Sequence, residues 1–418
     1  MKRVSMHAVL VSLALLAPTA PSTADVATAA GTALSATTVA DRDGALAELE
    51  AARQSDPLAA YASGAVHFFK ALEGLGQGLH RHGFDSPQSF MLPLMRLPVP
   101  ENPQPEPLTY EQFRAIIGSF RDELLVAAEQ LAGVPANADI GVEVDLARLG
   151  IDLNADGAIG AGESALAIMA ALNQNIAADP QSMPPMVFRF DRADGYWLQG
   201  YANFLIAQAD FWLAHDFRSA FDGSFHMLFP RAGLPLQEAL VPLDNGAGSM
   251  FASEWRIADF ISFVHMVNWP VAEPELRREA RGHLLEMIRL SRENWKAIRA
   301  ETDNVREWLP GPQQKGVNQL TGLEVGETEV QAWHAALAMA EDLLEGRTLL
   351  PHFRIADKGI NMKRFFEEPR TFDLVLSITG PAIVPYLETG RLLTAEEFES
   401  VRQQFGGTGF MTFALWFN

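Results

Sequence analysis

Apolar side chains return at every third or fourth position in segment after segment of this chain, and that spacing restricts it to packed helices. The stretch after Thr109 shows it most fully. Phe113, Ile116, Phe120, Leu124, Ala128 and Leu131 form one stripe, Gln112 completes a capping box with Thr109, and Gly133 followed by Pro135 ends the helix. The same logic predicts helices at residues 45–53, 57–82, 165–172, 194–216, 254–268, 274–301 and 329–345, the last capped by Thr328 with Gln331. Thr394 and Glu397 make another capping box, with Leu393 and Phe398 as its hydrophobic staple. Alternating patterns are scarce, and only residues 142–144, 374–379 and 410–417 read as extended. The expected fold class is mostly α: a multi-helix globular bundle or an irregular helical array.

The ends of the pattern suggest a compartment. Lys2 and Arg3, an apolar run over residues 8–17 and the small residues Ser22-Thr23-Ala24 read as a cleavable export signal spanning residues 1–24. That run is too short to cross a bilayer, which needs about 20 residues. Residues 25–40 are rich in Ala and Thr without an apolar period and are expected to be a disordered tether. Residues 41–418 then form the helical domain, long enough to divide into two helical subdomains. The absence of cysteine excludes disulfides, thiolate metal sites and a lipid-anchoring cysteine. A net charge of −20 argues against nucleic acid and anionic lipid as partners. A periplasmic or secreted bacterial protein without a transmembrane segment fits these features.

Residues 152–163 (DLNADGAIGAGE) stand apart from the helical pattern. Asp152, Asn154 and Asp156 place side-chain oxygens at alternate positions, and Gly157 sits where the chain must turn hardest. Ala158 offers its carbonyl, Gly160 offers no ligand, and Glu163 closes the segment with two oxygens as the next helix begins. Ile159 is expected to point into the protein. The segment resembles the calcium loop of an EF-hand, matched by Asp152, Asn154, Asp156, Gly157 and Glu163 at the places where that loop is constrained. The resemblance implies a bound Ca2+ held by Asp152, Asn154, Asp156, Ala158 and Glu163. Two departures matter. An extended stretch, not a full helix, precedes the loop, and no second loop accompanies it; Asp191 to Gly195 starts similarly but lacks the closing acid. A lone loop of this kind implies a structural clip more than a switch.

Candidate chemistry elsewhere is thinner. The 254–268 helix is apolar nearly all round, as a buried helix would be, yet carries Asp259, Ser262 and His265. The 194–216 helix shows a stripe of Trp197, Tyr201, Leu205 and Trp212, continued by Asp194, Gln208 and His215. One reading makes Asp259, His265 and His215 the catalytic candidates of an internal site; the other makes them a satisfied polar seam that fixes helix register. His80 and His82 read as the cationic end of a helix, His283 with Glu286 as part of a solvated charged face, and Gly74, Gly76 and Gly78 as close-packing positions. No zinc, di-iron or serine-nucleophile motif is present. Two functions remain open. One is an exported, calcium-clipped helical module that binds or scaffolds a protein or small molecule in the envelope. The other is a periplasmic enzyme with a site around Asp259 and His265 and a structural calcium.

Overall fold

Thr38 caps a helix by accepting from the Asp41 N–H at 3.2 Å, and the segment before it folds as well. The computed structural model describes residues 23–85, 97–172, 186–237, 252–302, 306–314 and 325–404. The first helices are α1 (Thr23–Ala33), α2 (Val39–Ala52), α3 (Pro57–Arg81) and α4 (Tyr110–Ala132). Residues 25–40 are therefore not a tether. Val26, Ala29, Ala30, Ala33 and Leu34 are buried at helical spacing, and α1 packs on α2 and α3. Small side chains give a weak hydropathy signal, but alanine is the best helix former and lets helices approach closely. Most of the expected export signal, residues 1–22, lies outside the described residues.

Local chemistry explains the other long helices. Asp56 caps α3 through the N–H groups of Leu58 and Ala59, with Pro57 at the first helical position. The Thr109–Gln112 capping box opens α4 in both directions. Strand β1 (Val142–Asp145) follows, then α5 (Ala165–Leu172), and β2 (Val187–Phe190) pairs antiparallel with β1, Val142 opposite Phe190. Asp191 caps α6 (Arg192–Leu213) in a capping box with Asp194, which is what the partial loop motif there does. Next come α7 (Arg218–Ser224), α8 (Ala252–Met266), β3 (Asn268–Trp269) and α9 (Pro274–Ala300).

The centre of the molecule is a run of packed helices, α3 on α4, α4 on α6 and α6 on α9. Helix α6 is buried on nearly every side, whereas α9 buries Ala280, Ile288, Trp295 and Ile298 and shows solvent a face of short-range ion pairs such as Arg289–Glu286 at 2.6 Å. A second core is aromatic: Tyr110 and Phe113 of α4 meet Phe217, Phe221, Phe225 and Phe229 edge to face or tilted.

The remaining elements are α10 (Glu327–Leu344), β4 (Leu350–His352), β5 (Ile355–Ile360), α11 (Met362–Glu367), β6 (Phe372–Asp373), α12 (Leu374–Thr379), β7 (Leu387–Glu388) and α13 (Ala395–Gln404). Strands β4, β5 and β7 form a small antiparallel sheet in that order, and β3 pairs with β6. The fold is mostly α, as the periodicity predicts. Three expectations need correction. Residues 374–379 form a helix, not a strand, because Asp373 caps them by accepting from Leu376 N–H at 2.7 Å. Helix α10 starts earlier than Thr328 predicts: the Glu329 carboxylate accepts from Gly326 N–H at 3.0 Å. Helix α8 is not buried. It rests on α7 and α12 and leaves Ile257 59 % and Ile261 51 % exposed, because among the described residues no element covers its other side. The 410–417 run lies outside the described residues.

Candidate functional site

Strand β1 delivers the chain into the loop under tight packing. Leu149, Ile151 and Leu153 are buried, and Gly150 pairs with Ser164 so that the two ends of the loop meet. A Cβ on Gly150 would stand 2.5 Å from the Ile159 side chain and 3.0 Å from the Glu163 carbonyl, so this approach needs glycine. The Asp152 side chain turns inward, with Asp156 N–H donating to Oδ1 at 3.2 Å and Gly157 N–H to Oδ2 at 2.9 Å. Asn154 Oδ1 accepts from the same Asp156 N–H at 2.9 Å, and Asp156 Oδ1 accepts from Ala158 N–H at 2.8 Å. Gly157, at φ +84, occupies the left-handed conformation expected of it, and Ala155 shares it at φ +62. Ile159 is half-buried against Gly150.

Glu163 closes the loop. Its Oε1 accepts from Leu153 N–H and its Oε2 from Gly160 N–H, each at 2.8 Å. Asp152 and Glu163 are almost buried, at 2 % and 8 % exposure, while Asp156 is exposed. Burial raises the Glu163 pKa, the charges of Asp152 and Asp156 push it the same way, and together they outweigh the two amide contacts. The exposed Asp156 carboxyl is held low by Ala158 N–H and Asn154. The donor set is all oxygen, as a hard dication requires. In the present geometry these oxygens face the loop's own amides. Among the described residues no three His, Asp or Glu side chains form a group that could hold a metal ion.

The loop is tied to the N-terminal helices. Val39 N–H donates to Gly157 O at 3.1 Å, Ile159 N–H donates to Thr37 O at 2.9 Å, and Thr38 bridges Ala158. Beneath it, Asp152 N–H donates to Glu73 Oε2 at 2.8 Å and Gln77 Nε2 donates to Asp152 O at 2.9 Å. Glu73 is in turn clamped by both terminal nitrogens of the buried Arg42. Gly76 supplies the close approach of α3, since a Cβ there would lie 2.3 Å from Leu153 Cδ2; Gly78 does the same against Ile116, whereas Gly74 faces open space. No family model matches the chain, and no curated protein and no solved structure matches it.

The catalytic candidates stand in separate environments. His215 is fully buried. Its Nδ1–H donates to Phe211 O at 2.6 Å, and burial pushes its pKa down to about 4, with the Arg277 charge adding to the effect. Asp259 is half-buried, with its carboxylate 3.6 Å from His226 Nε2, and His265 and Ser262 are exposed. Helix α6 packs on α4 and α9, and α8 on α7 and α12, so the expected pocket between α6 and α8 is not the principal contact of either. Asp194 is a buried capping residue with a pKa raised by burial and by Asp191. Among the remaining histidines, His82 is buried at the C-terminal end of α3, facing Glu106 O at 3.0 Å.

Two polar clusters escape the sequence reading. In the first, Asp210 of α6 is fully buried, ion-paired through Oδ1 with Arg121 of α4, and its Oδ2 lies 3.8 Å from His283 Nε2 of α9. Arg121 also pairs with Glu279 at 2.6 Å, and His283 Nδ1 meets Asn203 Oδ1 at 2.8 Å. Burial drives the Asp210 carboxyl up to about 6 despite Arg121, and burial lowers the pKa of His283. His283 thus faces the helix interface, not the solvated side of α9. The signal was Asn203 and Asp210 two turns apart on α6, on the face opposite the stripe of Trp197, Tyr201, Leu205 and Trp212. In the second cluster His67 is clasped between Glu123 at 2.6 Å and Glu50 at 2.9 Å, with Ser63 and Gln130 donating to the same Glu50 oxygen.

Proposed function

We propose that residues 152–163 bind one calcium ion as a structural clip in an exported helical module of the bacterial envelope. Asp152, Asn154, Asp156, Glu163 and the Ala158 carbonyl are the oxygens that would hold it. When bound, the ion supplies a compact double positive charge that offsets the mutual repulsion of the three carboxylates. The observation that carries this reading is the gathering of three carboxylates in one short loop, with Asp152 and Glu163 almost buried: burial first, and then the charges of Asp152 and Asp156, push the Glu163 pKa upward. A loop without a cation bears the cost of burial and repulsion together, which the amide contacts to Glu163 only partly offset.

The clip would fasten more than the loop. Its hydrogen bonds to Thr37 and Val39 and through Glu73 to Arg42 tie it to α2 and α3. With free calcium at about 100 times Kd, mass action adds about 2.7 kcal/mol to the stability of the folded state. Calorimetric melting of the protein in calcium and in chelator tests the proposal. The expected result is a higher Tm with calcium, with the difference abolished by Asp152→Ala and Glu163→Gln. Coincident melting curves for the parent protein would overturn it. The alternative, an enzyme site joining Asp259, His265 and His215, gains no support from their placement.

A further inference from the structure

Helix α8 packs by one side and is apolar on the other as well. On the packed side Phe263 and Met266 join the aromatic core, and a Cβ on Gly223 of α7 would stand 2.4 Å from the Met266 sulfur. Asp259 turns the same way, towards His226. On the other side Ile257, Phe260, Ile261 and Val264 recur three and four apart, the first three exposed and Val264 half-buried. The apolar surface continues onto α12, which abuts α8 where Leu374 N–H donates to Val267 O at 2.9 Å, and which shows Leu376 and Ile378 to solvent.

A single exposed leucine or phenylalanine means little, but a patch does. Five of the nine large apolar side chains exposed among the described residues belong to these two helices, which makes this a patch. Each of the five is 42–59 % exposed, so at roughly 150–200 Å² per large apolar side chain they show about 400–500 Å² of apolar surface. Homodimer interfaces are about 65 % apolar, so with its polar rim such a patch covers about 600–800 Å² per copy. Two copies together then bury about 1,200–1,500 Å², which a specific, stable interface requires.

The charge pattern decides between partners. Apart from Asp259, residues 257–266 and 374–379 contain no Asp, Glu, Lys or Arg. A helix seated on lipid carries Lys and Arg on its polar face, and a net charge of −20 works against an anionic bilayer. An uncharged patch asks for no complementary charges, so it fits itself across a two-fold axis, where both copies present the same surface. The charge of each copy repels the other only at long range, because salt screens it within about 8 Å at physiological ionic strength.

We propose that α8 and α12 form the interface of a homodimer, α8 of one copy lying along α8 of a second with Ile261 beside the two-fold axis and Leu376 and Ile378 flanking it. The surface is independent of the calcium loop.

Sedimentation of the full chain at about 1–100 µM is the test. Expected is a dimer with a Kd of about 10 µM or tighter, its affinity rising as salt goes from about 0.05 to 0.5 M. Ile261→Glu and Ile261→Lys should each weaken it at least about a hundredfold, and an equimolar mixture of the two should recover a dimer, because opposite charges then meet at the axis. Amide exchange of residues 257–264 that slows with rising protein concentration reports the same contact in the parent, should either variant fail to fold. A parent that stays monomeric at about 100 µM would overturn the proposal, and its binding to phosphatidylcholine vesicles through this face would give the surface to lipid. A dimer that keeps its affinity in both variants, a mixture that stays monomeric, or exchange in α8 that concentration leaves unchanged would overturn it equally.

Discussion

The backbone N–H of Asp152, the first residue of the loop, donates to the side chain of Glu73, the middle of α3, at 2.8 Å. That carboxylate is otherwise neutralised by Arg42 of α2, and all three residues are almost buried. Removing one partner of a buried pair strands the other charge, so Arg42→Met is expected to cost about 3–5 kcal/mol. The double variant Arg42→Met/Glu73→Met is expected to cost less than Arg42→Met alone, because no charge is left unpaired. Urea unfolding midpoints of the three proteins decide the order. A single variant as stable as the parent would show that the contact does not hold loop and helices together.

The calcium affinity proposed for the loop should depend on pH through Glu163. Burial and the neighbouring Asp152 and Asp156 raise its pKa, so a proton competes for it at a higher pH than for an ordinary glutamate. Binding is therefore expected to weaken as the pH falls from neutral towards 5, with protons taken up on calcium release. Calorimetric titrations in buffers of different ionisation enthalpy measure that proton count. A count of zero at pH 5 would remove Glu163 from the proposed calcium shell.

How much of this was legible depended on whether the deciding interaction was local. The caps at Thr109 and Thr394 involve residues three apart and read directly from the chain, whereas Asp191, which the sequence offered as the start of a second loop, is a cap that only the structure shows. The turn at 152–163 is local in the same way, its side chains folding onto amides within it. What failed was long-range. Residues 25–40 look uncommitted until α2 and α3 bury Val26 and Ala30. Helix α8 has the composition of a buried element, but composition cannot say whether a neighbour lies over it. His283 sits on a helix rich in Arg and Glu, and only the crossing with α6 turns it towards Asp210 and Asn203.

His67 predicts a contribution to stability that is lost in alkali. Burial opposes its charged form, but hydrogen bonds to Glu123 and Glu50, with their charges, outweigh burial and raise its pKa above 6.5. A histidine whose folded pKa is raised binds its proton more tightly in the native state. Its stabilisation is present in full below pH 6.5 and disappears as the pH rises through the folded value. The stability difference between the parent and His67→Gln should thus be larger at pH 6 than at pH 9. An equal difference at both would mean that the imidazole is neutral throughout.

Asp210 predicts a slope of the same sign in a lower pH window. Its carboxyl titrates near 6 in the folded state against 3.8 in an unfolded chain, so between those values the native protein holds a proton that the unfolded one has released. Stability from this group therefore falls as the pH rises from about 4 to about 6, by on the order of 3 kcal/mol at most. Asp210→Asn cannot titrate, and its stability relative to the parent should improve across that window whatever it loses with Arg121. Guanidinium unfolding at pH 4, 5 and 6.5 isolates the difference. Parallel pH profiles would place the Asp210 pKa at its ordinary value and leave Arg121 as a partner that fully compensates the buried charge.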